Sequence, residues 1–123
     1  MNYDLSIIIS HFIPENFQSQ NPLLKTLDII KQQNKNLNIE IIIADDGSFY
    51  TNNILNNFSK KIIIEDDIRD FYYLENKKLS NFLSTANIEN HLITKWVYLP
   101  KLINCMAKAK TMNFAAKVSQ CNH

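Results

Sequence analysis

The chain has 123 residues, 46% of them hydrophobic, and 13 basic against 12 acidic side chains leave a net charge of +1. That length supplies one domain able to bury roughly two-thirds of its unfolded surface, and that apolar content excludes wholesale disorder. A balanced charge with no basic face argues against a nucleic-acid partner, and the apolar runs fall far short of the roughly 20 residues that cross a bilayer.

Leu5-Ser6-Ile7-Ile8-Ile9-Ser10 reads as a first strand, β-branched and buried on both faces. His11 to Asn21 is a loop punctuated by Pro14. Asn21 then caps a helix with Pro22 at its first position. Leu23, Leu24, Leu27, Ile29 and Ile30 supply its apolar stripe, and Gln32 to Asn38 ends it in polar residues. Ile39 to Ala44 is a second buried strand. It stops abruptly at Asp45-Asp46-Gly47-Ser48, where two acids and the chain's only glycine mark a turn at a strand's carboxyl end. Open α/β sheets bind ligands beyond the carboxyl ends of their strands, so this turn is the first candidate site.

A short helix is predicted from about Thr51 to Phe58, with Ile54, Leu55 and Phe58 inward, followed by a third strand at Ile62-Ile63-Ile64. Strand, helix, strand, helix, strand is the alternation of a parallel sheet with right-handed crossovers. From Glu65 to Leu99 the pattern loosens. Phe71-Tyr72-Tyr73-Leu74 reads equally as an apolar anchor or a strand, and Leu79 to Phe82 as one helical turn. Asn76, Asn81, Asn87 and Asn90 interrupt anything longer. Past Pro100, Leu102, Ile103, Met106 and Ala109 suggest a helix, and Phe114, Ala115 and Val118 its continuation or a second one.

The remaining features are plain. Met-Asn-Tyr-Asp at the start lacks the basic and long apolar regions of a signal peptide. Cys105 and Cys121 have neither C-x-x-C nor zinc spacing and read as reduced thiols of a cytosolic protein. Lys60-Lys61 and Lys77-Lys78 read as solvated turns.

Ser6-Ile7-Ile8-Ile9-Ser10-His11-Phe12, then Gln33, then Glu40-Ile41-Ile42-Ile43-Ala44-Asp45-Asp46-Gly47-Ser48 resembles the opening of family 2 glycosyltransferases, which have the GT-A fold. Lys108-Ala109-Lys110-Thr111-Met112-Asn113-Phe114-Ala115-Ala116-Lys117 is similar to that family's helix carrying an Arg-Asn or Met-Asn pair. The resemblance spans about residues 5–64 and 107–121. It implies an α/β, Rossmann-like GT-A nucleotide-binding subdomain, with three or more mostly parallel strands and flanking helices. The whole of 1–123 would form one partial domain, with 66–103 as an insertion.

By that resemblance the chain is the donor-binding half of an enzyme transferring sugar from a nucleotide-sugar, a UDP-sugar, to a carbohydrate, lipid-linked or protein acceptor. Phe12 would stack on the nucleobase and Ser10 would meet the nucleotide. Asp46, with Asp45 beside it, would hold the uracil or ribose, and Lys110 and Asn113 would approach the nucleotide from their helix. Met112 stands where the family often has Arg. The physical logic holds without the name, since a carboxylate accepts paired hydrogen bonds from an imide edge or a diol and an aromatic face stacks on a base. Each residue also has a plainer reading: Phe12 as core, one of the two acids as a helix cap, Asn113 as an ordinary helix residue.

The same resemblance implies a divalent metal, Mn or Mg, on an Asp-x-Asp motif that would follow His123. Glu65-Asp66-Asp67 with Asp70 has oxygen ligands that suit such an ion, but it is better read as a solvated loop. It further implies a cytoplasmic location, at the inner face of the membrane if regions outside this sequence attach it there. Two alternatives stand beside this reading. One is a non-catalytic or truncated nucleotide-binding module that self-associates through an unpaired sheet edge. The other is a receiver-like Mg-binding domain, whose paired acids would have to follow the first strand.

Overall fold

The computed structural model describes residues 3–13, 23–33, 36–55, 61–63, 70–88, 92–100 and 108–119. Its elements, in chain order, are β1 (Leu5–His11), α1 (Leu23–Gln33), β2 (Ile39–Asp45), α2 (Phe49–Leu55), β3 (Lys61–Ile63), β4 (Asp70–Glu75), α3 (Asn76–Thr85), β5 (Ile93–Tyr98) and α4 (Lys108–Val118). The result is an α/β fold with one five-stranded sheet in the order β1-β2-β5-β4-β3.

The isoleucine runs form β1 and β2, paired in parallel from Leu5↔Ile39 to His11↔Asp45. β1, expected to be buried on both faces, is instead an edge strand among the described residues, with Leu5 and Ser10 exposed and Ser6 to Ile9 half-buried. β-Branched side chains favour this pleated geometry, and every residue of β2 after Ile39 is buried. The third parallel strand is β5, which joins β2 through Ile43↔Trp96, Ala44↔Val97 and Asp45↔Tyr98. β4 runs antiparallel to β5, and β3 antiparallel to β4. Thus β1, β2, β5 and β3 point one way and β4 the other.

This arrangement corrects the simple alternation expected from sequence. β3 has the expected direction but lies at the far edge, with β5 and β4 between it and β2. Its place beside β2 is taken by β5, a central strand that the sequence pattern did not reveal. Residues 66–103, read as an insertion, supply β4, α3 and β5 and so contribute two strands to the sheet. Asn81 does not interrupt α3, which runs ten residues rather than one turn. Asn76 and Asn87 take positive φ of 53° and 59° at either end of it.

Two cores follow from the pleat. On one face Leu23 and Leu27 of α1, Tyr50 and Leu55 of α2, and Leu79, Phe82 and Leu83 of α3 pack on Ile41, Ile43, Leu74 and Trp96. On the other, Ala115 of α4 is fully buried against Ile42, Ala44, Val97 and Leu99, with Met112 and Val118 beside it. Leu24 and Ile29, expected in the stripe of α1, are instead 42% and 46% exposed. At about 100° per residue, Leu23, Leu27 and Ile30 share one narrow line and the other two fall off it on either side.

α2 begins at Phe49, two residues earlier than expected, and Leu55 is buried as anticipated with Ile54 half-buried. Lys77 and Lys78 are exposed in the first turn of α3. The expected cap at Asn21-Pro22, Phe58, the acids 65–67, the helix residues Leu102, Ile103 and Met106, and both cysteines lie outside the described residues. No helix among the described residues is long and apolar enough to cross a membrane.

Candidate functional site

The turn after β2 is built by hydrogen bonds that bind it to the exit of β1. The Asp46 amide donates to the His11 carbonyl at 2.9 Å, the Ile13 amide to Ser48 Oγ at 2.9 Å, and the Phe49 amide to the Ile13 carbonyl at 3.2 Å. Gly47 between them has φ 87°, a conformation that costs a residue with a Cβ about 1–2 kcal/mol. The two exits therefore run side by side, with Phe12 flanking Asp46-Gly47.

The two acids are divided in role. Asp45 is fully buried, and its carboxylate accepts from the Ser48 amide (3.0 Å), Thr51 Oγ1 (2.5 Å) and Trp96 Nε1 (3.2 Å). It closes the turn, starts α2 and ties β2 to β5. Burial pushes it up to about 6, against the opposing pull of those hydrogen bonds. Of the two readings open for this pair, Asp45 takes the capping one. Its two oxygens take up three protein donors, which gives Asp45 a structural part in the turn.

Asp46 is the next residue, 2% exposed, at the mouth of the turn. Strand alternation sets it on the face of Ile42 and Ala44, where α4 packs, and opposite Asp45. His11 and Ile13 are buried on the other face, at 5% and 6% exposure, so the same alternation sets Phe12 on the side of Ser10 and Ile8. Phe12 and Asp46 thus fall on one face at neighbouring positions of the β1–β2 register. Phe12 is half-buried and Ser10 exposed.

α4 approaches the same face from the opposite end of the sheet. Lys95 Nζ donates to the Val118 carbonyl at 2.7 Å and pairs with Glu40, while Ser119 Oγ donates to Glu40 at 3.1 Å. Ser6 Oγ also donates to Glu40, at 2.6 Å. These contacts fix the carboxyl end of α4 over the amino ends of β1, β2 and β5. The helix, about 16 Å long by its rise, then carries its amino end, with Lys110, toward the carboxyl ends where Asp46 lies. Asn113 sits on α4 and is exposed, while Met112 is half-buried against the core.

Sequence reasoning missed Trp96, Tyr50 and His11. His11 Nε2 meets Tyr50 Oη at 2.6 Å, and its ring stands edge-on to Trp96 with centroids 5.6 Å apart. Burial pulls His11 down to about 4, so the ring is neutral at neutral pH. The only tryptophan in the chain was the available signal, but nothing local linked it to the acid pair. The described residues contain no group of three His, Cys, Asp or Glu placed to hold a metal ion. Two clefts, of about 360 and 350 Å³, lie at the amino-end side of β2 and β5, one against Leu37 and Leu92 and the other against Tyr73 and Lys77. Both are remote from Asp46.

Comparison with family models, with curated proteins and with solved structures finds no match to this chain.

Proposed function

We propose that the chain binds the nucleotide of a sugar-nucleotide donor as the donor half of a glycosyltransferase of family 2 type, with a GT-A-like sheet. One observation carries the reading. The neighbouring parallel strands β2 and β5 send their chains to opposite faces, β2 into α2 on the face of Trp96 and β5 toward α4 on the face of Ala44. Such a divergence is where open α/β sheets place their ligands, and Asp46 stands at it with Phe12 alongside.

In this reading Asp46 accepts the imide or ribose donors of a uridine nucleotide and Phe12 covers the base. Ser10 lies on the same face, and α4, the helix that carries Lys110 and Asn113, is the element proposed to approach the remainder of the nucleotide. Asp45 holds the turn from beneath and does not touch the ligand. The Mn or Mg ion that the family resemblance implies has no ligand set among the described residues, and no step is assigned to it or to a base. Acceptor and sugar stay general, a carbohydrate, lipid-linked or protein hydroxyl, and the cytoplasmic face of a membrane is the proposed setting.

Titration calorimetry of the chain with UDP and with uridine tests this. Binding of UDP that falls at least tenfold in Asp46→Ala, with the circular dichroism of the folded protein retained, is the expected result. No heat from UDP at millimolar concentration, or equal binding by Asp46→Ala, would remove the reading.

A further inference from the structure

We propose that β1 is the self-association surface of this protein, and that two copies join antiparallel through its outer edge with the two-fold axis at Ile8. Among the described residues β1 is an edge strand, paired only with β2. The direction of its backbone follows from one bond. The His11 carbonyl receives the Asp46 amide, so His11 turns its peptide groups toward β2. In a parallel ladder alternate residues do so, which assigns Ile9, Ile7 and Leu5 to β2 and leaves the N–H and C=O of Ser6, Ile8 and Ser10 directed outward.

Those three residues are symmetric about Ile8. In an antiparallel pairing centred there, Ile8 meets Ile8 and Ser6 meets Ser10 of the other copy, each pair exchanging both of its hydrogen bonds. Ile7 then meets Ile9 in the closer, non-hydrogen-bonded positions, where β-branched side chains pack well. Ile7, Ile8 and Ile9 are each only half-buried, so the second copy covers apolar surface on both faces of the strand. Ser6-Ile7-Ile8-Ile9-Ser10 contains no charge and no proline, the two devices that ordinarily blunt an exposed edge. The palindrome Ser6-Ile7-Ile8-Ile9-Ser10 sets like residues opposite one another at every position of a two-fold junction, which is why a second copy is the occupant named. The proposal rests on backbone groups and stands apart from the nucleotide reading.

A single strand junction is smaller than the roughly 1,200–2,000 Å² of a standard interface, so the dimer should dissociate within the micromolar range. Sedimentation of the full chain from about 1 µM to 1 mM is expected to show monomer passing to dimer. Amide hydrogen exchange over the same range should slow at Ser6, Ile8 and Ser10 as dimer forms. Ser10→Pro removes an outward donor without touching the β1–β2 ladder and should weaken the dimer at least tenfold. Monomer at every concentration overturns the proposal. So does a dimer whose Ser6, Ile8 and Ser10 amides exchange fast, because another face then joins the copies. Slow exchange of those amides in a monomer also overturns it, because the edge is then covered within one chain.

Discussion

His11 and Asp45 are register partners in β1 and β2, and both address the same indole, His11 by its ring edge and Asp45 through a hydrogen bond from Trp96 Nε1. Burial moves them in opposite directions, His11 from 6.5 to about 4 and Asp45 from 3.8 to about 6. Between pH 4 and 6.5 the unfolded chain binds more protons at position 11, so the histidine makes stability rise with pH. Over nearly the same interval the folded chain keeps a proton on Asp45 that the unfolded chain loses, so the acid makes stability fall with pH.

The two slopes offset one another in the native protein. His11→Phe should expose the acid's slope, with stability falling as pH rises from 4 to 6. Asp45→Asn should expose the other, with stability rising from pH 4 to 6.5. Each swing is on the order of 3 kcal/mol, read from urea denaturation across a pH series. Slopes of the same sign in both variants would contradict the assignment.

The neighbouring acids should separate cleanly when each is truncated. Asp45→Ala removes the acceptor of three buried donors and should cost about 2–4 kcal/mol of stability. Asp46→Ala should cost less stability and lose the nucleotide instead. Denaturation and calorimetry on the same pair of variants check this, and a reversed outcome would exchange the two roles.

Much of this arrangement was legible because it is local. The isoleucine runs of β1 and β2 and the acid-acid-glycine-serine turn each declare themselves within a dozen residues. So do Leu23 and Leu27 of α1, whereas Leu24 and Ile29, read into the same stripe, are exposed. β5 was not legible. Its sequence Ile93-Thr94-Lys95-Trp96-Val97-Tyr98 places a lysine in the central sheet, which looks forbidding until Glu40, 55 residues away, supplies the counter-charge. The same distance hid the order of strands, because nothing in Lys61-Ile62-Ile63 says whether its neighbour is β2 or β4. Asp46 is a candidate on the strength of the turn alone. The division of labour with Asp45 depends on Thr51 and Trp96, and only one of those is near in sequence.

Gly47 at φ 87° and Asn87 at φ 59° both occupy the left-handed region. Gly47→Val should lose about 1–2 kcal/mol or more, and Asn87→Ile a similar amount, because β-branched residues are penalised there. Asn87→Gly should stay within about 0.5 kcal/mol of the native chain. Thermal unfolding of the three variants reads the difference, and equal stability of Asn87→Ile and Asn87→Gly would contradict the conformation.

The last expectation concerns how α4 is held. Lys95 and Glu40, 4% and 0% exposed, pair in the interior beneath the carboxyl end of α4, with Ser6 and Ser119 donating to the same carboxylate. Removing one charge strands the other in a medium that solvates it poorly, so Lys95→Met should cost about 3–5 kcal/mol. It also deprives the Val118 carbonyl of its donor, loosening the helix terminus. Replacing both, as Glu40→Leu with Lys95→Met, removes the stranded charge and should recover most of the loss. The recovery should be incomplete, because Ser6 and Ser119 lose their shared acceptor and α4 its anchor. A double-mutant cycle by urea denaturation measures the coupling, and costs that simply add would show that the two side chains do not form a buried pair.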